Sequence, residues 1–136
     1  MRKERNKSLR GTANKIGKFL DGVRIFRCFV AMFLYNVTIT IDLDVHEDWL
    51  HWMKTVHIPE VMATGMFVSH RLNRLLGHEH AESEIYTVQY LVKDIGHLRR
   101  YQDEFAPRLQ SDHTKRYEGK FAAFRTIMEV LTLDAA

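Results

Sequence analysis

The sequence of 136 residues has one cysteine, two prolines and no long hydrophobic run. Because Cys28 is alone, an internal disulfide framework is excluded, and the composition fits a reducing compartment such as the cytoplasm. The longest apolar stretch near the N-terminus, residues 28–35, is much shorter than the roughly 20 residues that cross a bilayer. Glycine-rich phosphate-binding motifs and the GxSxG motif are also missing, which removes support for nucleotide-binding and hydrolase folds.

The net positive charge of the chain comes from its first 31 residues. This leader has nine Lys or Arg against two acidic residues, a charge of +7, whereas residues 32–136 carry a charge of −4. The domain that follows the leader is therefore mildly acidic, and nucleic-acid binding is not expected of it.

The leader itself has no sustained helical or strand period, and three interpretations of it remain open. The first is that Met32 is the true start and the leader is upstream sequence. The second is that the leader is a disordered basic arm, and the third is that it is a targeting segment. A strand pattern begins immediately at Met32, which favours the first interpretation.

The first half of the domain predicts a strand followed by a helix. Residues 33–42 alternate between apolar and polar side chains, which is typical of a half-buried strand. Asp44 and Glu47 have the spacing of a capping box in front of a helix with one apolar stripe. Residues 57–59, His-Ile-Pro, predict a break in this helix, because proline lacks the N–H that a helix needs.

The second half predicts two strands, a helix and a last strand. Strands over residues 66–76 and 84–92 are joined by a polar hairpin loop. Asp94 is expected to cap a second helix, and Pro107 to kink it. Residues 121–131 form the last predicted strand.

The resulting order, β-α-β-β-α-β, is the pattern of ferredoxin-like folds. We therefore predict an α+β domain over residues 32–131, followed by a short tail, residues 132–136. Its four-stranded antiparallel sheet carries two helices on one face and leaves the other face open. Apolar character assigns Phe124 and Met128 of the last strand to the covered face, and Arg125 to the open face.

The open face mixes apolar and polar side chains. On the second strand Phe67, Ser69 and Arg71 are assigned to it. Such a face is too apolar in part for water and too polar for a dry core. A second copy packed sheet against sheet would cover it, so we predict a homodimer, a dimeric α+β barrel. The alternative is a half-solvated sheet whose polar residues face water.

The sequence resembles an uncharacterised bacterial family, found mainly among Bacteroidetes and known as domain of unknown function 4286. Seven short motifs between Met32 and Leu131 carry the resemblance: Tyr35-Asn36-Val37-Thr38, Trp52-Met53-Lys54, His57-Ile58-Pro59, Thr64-Gly65-Met66-Phe67, Val88-Gln89-Tyr90, Tyr101–Pro107 and Lys120–Arg125. The resemblance implies a fold similar to dimeric α+β barrels, which include cofactor-free monooxygenases, isomerases and ligand-binding proteins. It implies no particular activity.

The predicted ligand site lies on the open face. It combines two arginines with amide and hydroxyl side chains, namely Asn36, Thr38, Arg71, Gln89 and Arg125. Guanidinium and amide groups that converge on one cavity suit a carboxylate or another small anion. The alternative is that both arginines form salt bridges in an interface.

Histidine supplies one candidate for proton transfer and no metal site. His57, at the predicted helix break, has an ordinary pKa near neutrality and is the candidate proton carrier; the alternative is that it caps the broken helix. Glu47 with His51, and His78 with His80, fall short of the three or four ligands of a metal site. We therefore predict neither a metal nor a cofactor.

Three functions remain open from the sequence. The first is a homodimer that binds a small anionic or aromatic molecule in a cavity on the open face. The second is a cofactor-independent enzyme of the monooxygenase or isomerase kind, with His57 as acid and base. The third is a protein-interaction module without a pocket. Whether the protein is an enzyme is thus undecided by sequence.

Overall fold

The computed structural model describes residues 31–77 and 82–134 and has the predicted ferredoxin-like order of elements. The strands are β1 (Phe33–Asp42), β2 (Phe67–Arg74), β3 (Ser83–Val92) and β4 (Phe121–Glu129). They form one open antiparallel sheet in the order β2-β3-β1-β4, so β2 and β4 are its edges. The predictions for residues 1–30 of the leader, for the hairpin tip, residues 78–81, and for the last two residues of the tail lie outside the described residues.

Two helical segments connect these strands. The first consists of α1 (His46–Trp52), a π-helical turn (Met53–His57) and α2 (Ile58–Ala63). The second consists of α3 (Ile95–Arg100), a π-helical turn (Tyr101–Phe105) and α4 (Ala106–Arg116). In the part of the chain that the structure describes, no helix is long and apolar enough to cross a membrane.

A proline lies two residues after each π-helical turn. The N–H of Ile58 bonds to the carbonyl of Met53, five residues back, and the next residue is Pro59. The second turn repeats this arrangement in front of Pro107. The wider turn makes room for the proline ring, which in a regular α-helix would clash with the carbonyl four residues back. The regular α-helix is therefore interrupted as predicted, but by a π-helical turn rather than by an end of the helix, and α2 resumes at Ile58.

The two predicted helix caps have different outcomes. The side chain of Asp94 accepts a hydrogen bond from the backbone N–H of His97 at 2.8 Å, as predicted. Asp44 does not cap the first helix, which begins at His46 without a side-chain cap. Its carboxylate instead accepts a hydrogen bond from Lys120 Nζ at 2.8 Å, because three turn residues separate β1 from the helix.

The core lies between the helices and one face of the sheet. Among its buried side chains are those of β1 and β3 that were predicted to face the helices: Phe33, Tyr35, Ile39, Ile41, Tyr86, Val88 and Tyr90. From the first helical segment, Trp49 is fully buried and Met53 nearly so. Burial of these large side chains is the main favourable contribution to folding.

The pairing of β4 with β1 corrects one prediction. Val37 lies opposite Arg125, and residues directly opposite in an antiparallel pair share a face. Arg125 therefore lies on the covered face and not on the open one. Phe124 and Met128 lie on the open face, and Phe124 is 60% exposed. Apolar residues occupy both parities of β4, so its pattern alone does not fix the register.

A β-bulge in β2 corrects another prediction. Phe67 lies opposite Val92 and is buried in the core, whereas Ser69 lies opposite Leu91 on the open face. The extra residue between Phe67 and Ser69 shifts the alternation by one position. The assignment of Phe67 to the open face is therefore wrong, and that of Ser69 is right.

Candidate functional site

A cavity lies on the covered face, between the sheet and the two helical segments. Its volume of about 50 Å³ is room for about four waters. Apolar side chains of β1, β3 and the first helical segment form much of its wall. The polar side chains in the wall are Tyr35, His57, Tyr90, Tyr101, Gln110, His113, Thr114 and Arg125. Ligand sites typically have this composition, apolar with a few converging polar groups.

The first π-helical turn and α4 position the two imidazoles of this cavity. His57 ends the first π-helical turn, and its ring stacks on Trp52 with 5.0 Å between ring centroids. His113 is buried on α4, and its ring centroid is 5.8 Å from that of His57. Trp49 Nε1 donates a hydrogen bond to His113 Nε2 at 2.8 Å. His57 Nδ1 is enclosed without a hydrogen-bond partner among the described residues.

Burial keeps both imidazoles neutral. It lowers the pKa of His57 to about 4, with Arg125 adding to the effect and Asp112 opposing it. It also lowers the pKa of His113 to about 4, with His57 and Arg125 adding to the effect. Neither imidazole is therefore charged near pH 7.

Arg125 stands at the outer wall of the cavity. Its side chain is exposed, and it belongs to an edge strand, so the guanidinium lies where the cavity meets solvent. Burial raises the pKa values of Tyr35, Tyr90 and Tyr101, so these phenols stay protonated and can donate hydrogen bonds. For Tyr35 the charge of Arg125 opposes this rise in pKa without cancelling it.

The charge of the cavity wall favours an anion. Among the described residues that line it there is no Asp or Glu, and Arg125 is the one side chain with a formal charge near pH 7. Neutral phenol, amide and hydroxyl groups accompany it. Such a wall is suited to a carboxylate, phenolate or enolate oxygen on a small ring.

The other predicted ligand residues lie on the open face. Asn36 is opposite Gln89, which is opposite Arg71, so these three form a row across the sheet. Asn36 Nδ2 donates to Thr38 Oγ1 at 3.1 Å and to Thr126 Oγ1 at 3.2 Å. Arg71 and Gln89 line an open groove of about 410 Å³. The five predicted residues are thus divided between two faces, and Arg125 is separated from the rest.

Metal ligands do not converge in the part of the chain that the structure describes. Across residues 31–77 and 82–134, no group of three or more His, Cys, Asp or Glu is arranged to hold an ion. The role of the predicted residues in binding a ligand stays a prediction.

Sequence reasoning missed His113, Gln110 and Thr114. A usable signal exists for His113, because it follows the buried Leu109 by four residues and thus continues the apolar stripe of the second helical segment. A histidine in a buried stripe is a candidate for a hydrogen-bonded core position. No such signal marks Gln110 and Thr114, which lie on α4 and reach the wall through the packing of that helix on the sheet.

The fold and the cavity define a class of protein, namely a ferredoxin-like α+β domain whose helices cover a cavity lined by apolar side chains and a few polar ones. Within that class, the chain belongs to the family described as domain of unknown function DUF4286, which matches residues 32–131. The resemblance seen in the sequence motifs is thereby confirmed. No curated protein matches the sequence.

Solved structures share the fold at low sequence identity. An EthD-like protein from Ralstonia eutropha has 14% identity and a TM-score of 0.58, covering 79% of this chain and 98% of that chain. A cofactor-independent oxygenase from Streptomyces nogalater has 13% identity and a TM-score of 0.55, with coverage of 77% and 98%. A dimeric ferredoxin-like protein of unknown function from Thermobifida fusca has 13% identity and a TM-score of 0.51, with coverage of 76% and 96%. At these identities the likeness shows the fold alone.

Proposed function

We propose that this domain binds a small aromatic or enolic anion in the cavity under its helices, with Arg125 holding the anionic oxygen. The observation that carries the proposal is the placement of Arg125 in the wall of a cavity without a carboxylate. An anion that enters this cavity meets a guanidinium and neutral hydrogen-bond donors. The cavity volume of about 50 Å³ is a third of the roughly 150 Å³ that encloses benzene, so the anionic end of such a ligand enters the cavity and its ring extends toward the solvent side at Arg125.

We further propose that two copies pair through their open faces. Phe124 is 60% exposed and Met128 40% exposed on that face, and a monomer would leave both in water. Asn36 is 8% exposed, and its Oδ1 has no hydrogen-bond partner among the described residues, so a donor from a second copy would complete it. The dimeric protein from Thermobifida fusca shares the fold.

A second candidate function is cofactor-independent catalysis on the same ligand, as in the oxygenase from Streptomyces nogalater, which shares the fold. The observation that favours it is His57, a neutral imidazole in the cavity wall whose Nδ1 has no hydrogen-bond partner among the described residues, although its lowered pKa of about 4 makes it a weak base near pH 7. Binding is the prior question, because a proton can be moved only on a molecule that the cavity holds.

The test is a thermal-shift titration of the full chain with benzoate, and with benzamide as its uncharged isostere. A ligand at 100 times its dissociation constant adds about 2.7 kcal/mol to the free energy of unfolding if it binds the folded state alone. We expect benzoate and not benzamide to raise the melting temperature. Arg125→Ala should weaken benzoate binding by about tenfold or more, since it removes a charged hydrogen-bond donor.

Arg71→Ala is the matched control, because Arg71 is also an exposed arginine on an edge strand but lies on the open face. It should leave benzoate binding unchanged. Loss of binding in Arg71→Ala with none in Arg125→Ala would move the ligand to the open face that the sequence predicted. No shift with any anion in a folded dimer would instead support the protein-interaction function.

A further inference from the structure

The hydrogen bond between Trp49 and His113 fixes the proton of the imidazole. An indole N–H donates and cannot accept, so His113 Nε2, which receives it at 2.8 Å, must present its lone pair. The single ring proton of the neutral imidazole is then on Nδ1. Trp49 is fully buried, so water does not compete for this bond.

The protonated nitrogen of His113 is left to the cavity. His113 lines the cavity, and its Nδ1 has no hydrogen-bond partner among the described residues. Across those residues, the enclosed side-chain polar atoms without a partner are Asn36 Oδ1 and His57 Nδ1. His113 Nδ1 is not among these enclosed atoms, so it is accessible. The accessible space that the ring of His113 lines is the cavity.

We propose that Trp49 is a positioning residue that holds His113 as a neutral hydrogen-bond donor to the anionic oxygen of the cavity ligand. This inference rests on the proposed function above for its ligand, an oxyanion on a single ring. His113 and Arg125 then form a pair of donors, one neutral and one charged, on the same cavity wall. The assignment also gives the two imidazoles different roles, because His113 has no free lone pair to accept a proton while Trp49 donates to it.

Neighbouring groups are consistent with this role. His57, Tyr117 and Phe121 surround the ring of His113, with centroids between 4.4 and 5.8 Å away. None of the three is anionic near pH 7, so no nearby side chain among them favours a second proton on His113. Tyr117 donates its own O–H to Asp48 at 2.8 Å and is therefore engaged elsewhere.

The first measurement needs no ligand. Two-bond ¹H–¹⁵N spectra of the imidazoles in the full chain should show His113 as the Nδ1-protonated neutral tautomer throughout pH 8 to 6. In Trp49→Phe the indole donor is gone, and we expect a mixture of tautomers. Trp52→Phe is the matched control, since its ring is 5.9 Å from that of His113 but the structure shows no hydrogen bond between them. It should leave the tautomer of His113 unchanged, although the loss of the neighbouring indole ring shifts the resonances.

A proton on Nε2 of His113 in the wild-type chain would overturn the inference, as would a tautomer that Trp49→Phe does not alter. Because Trp49 is buried, that variant is at risk of failing to fold, and two variants at His113 provide a second route. His113→Asn retains an amide N–H near the place of Nδ1 and should keep benzoate binding within a few-fold of the wild type. His113→Leu should weaken it by about tenfold or more.

Equal benzoate affinity in wild type and His113→Leu, when benzoate binds and Arg125→Ala weakens it, would refute the donor role and leave the proposed function standing. Absence of benzoate binding in the wild type would refute the proposed function and, with it, the ligand named for His113. The tautomer measurement separates the two cases, because it tests Trp49 and His113 without any ligand.

Discussion

At the scale of single residues, His57 and His113 show how burial turns an ordinarily titratable group into a neutral one. Each side chain faces the cavity from a helix, and for each the loss of hydration is the largest contribution to a pKa of about 4. Arg125 acts in the same direction on both, since a second positive charge close by is unfavourable. This neutrality makes the stability of the fold depend on pH.

We expect the free energy of unfolding to fall as the pH is lowered from 7 to 5. Unfolded histidines take up protons around pH 6.5, whereas the folded His57 and His113 stay neutral until about pH 4. The unfolded chain therefore binds more protons in this window, and acid favours it. The stabilisation is complete above pH 6.5 and is lost progressively toward pH 4. Urea unfolding at pH 7, 6 and 5 measures the slope.

In His113→Asn one of the two contributing histidines is gone, so the slope between pH 7 and 5 should be smaller by about half of their joint contribution. A slope that is identical in the wild type and in the variant would contradict a lowered pKa for His113. The window stops at pH 5 so that carboxylates, whose ordinary pKa values are about 4, contribute little.

Residue identity predicted some parts of the site and not others. The sequence drew attention to His57 and Arg125, and both line the cavity. It placed Arg125 on the wrong face, because the face depends on strand register, and register depends on contacts far along the chain. Trp49 belongs to the apolar stripe of the first helix, but its bond to His113, 64 positions away, has no local signature.

At the scale of elements, the helices show which local rules survive in the folded chain. Asp94 lies directly before α3 with extended backbone angles, and its side chain bonds to the N–H of His97. Asp44 fits the same sequence rule but lies two residues before the helix begins, and it bonds to Lys120 instead. The sequence rule identifies a residue able to cap, whereas the length of the turn decides whether it reaches the helix.

Two matched substitutions test this difference. Asp94→Ala should lower the free energy of unfolding by about 1 kcal/mol, the usual loss for an N-cap. Asp44→Ala should lower it by clearly less than Asp94→Ala does, because its bond with Lys120 is exposed and is screened by solvent. Chemical unfolding of both variants at pH 7 measures the two effects. Equal losses would contradict the assignment of the cap to Asp94.

Strand patterns were predictive where one face was uniformly apolar. In β1 every second residue is buried or half-buried against the helices, so alternation alone identified its covered face. In β2 the bulge between Phe67 and Ser69 shifts the alternation, and in β4 apolar residues occupy both faces. Bulges and register are properties of strand pairs, and a single strand carries little information about them.

At the scale of the whole molecule, the order of elements was enough to predict the fold, because few topologies accommodate β-α-β-β-α-β around one sheet. The helices cover one face of the sheet, and the order of elements does not say what covers the open face. That face carries the exposed Phe124 and Met128 beside the nearly buried Asn36. A contiguous surface of this kind is typical of an interface, and the proposed partner is a second copy.

Phe124→Glu should convert the dimer to a monomer, because it places a charge in the centre of the proposed interface. Ile127→Glu is the matched control. It changes a residue of the same strand that is 50% exposed but lies on the covered side, so the dimer should persist. Sedimentation equilibrium of the full chain measures the mass of each variant. A monomeric wild type, or dissociation by Ile127→Glu alone, would contradict the proposed interface.

The position of Arg125 on an edge strand has a consequence for how a ligand enters and leaves the cavity. β4 is bonded to β1 on one side and to no other strand of the described sheet, so its outer backbone edge is unpaired within that sheet. Edge strands fray more readily than central ones. Transient detachment of β4 would open the cavity to bulk water and carry away the guanidinium in the same movement. A ligand leaving by this route would lose its counter-ion and its enclosure together, without the need for a separate lid.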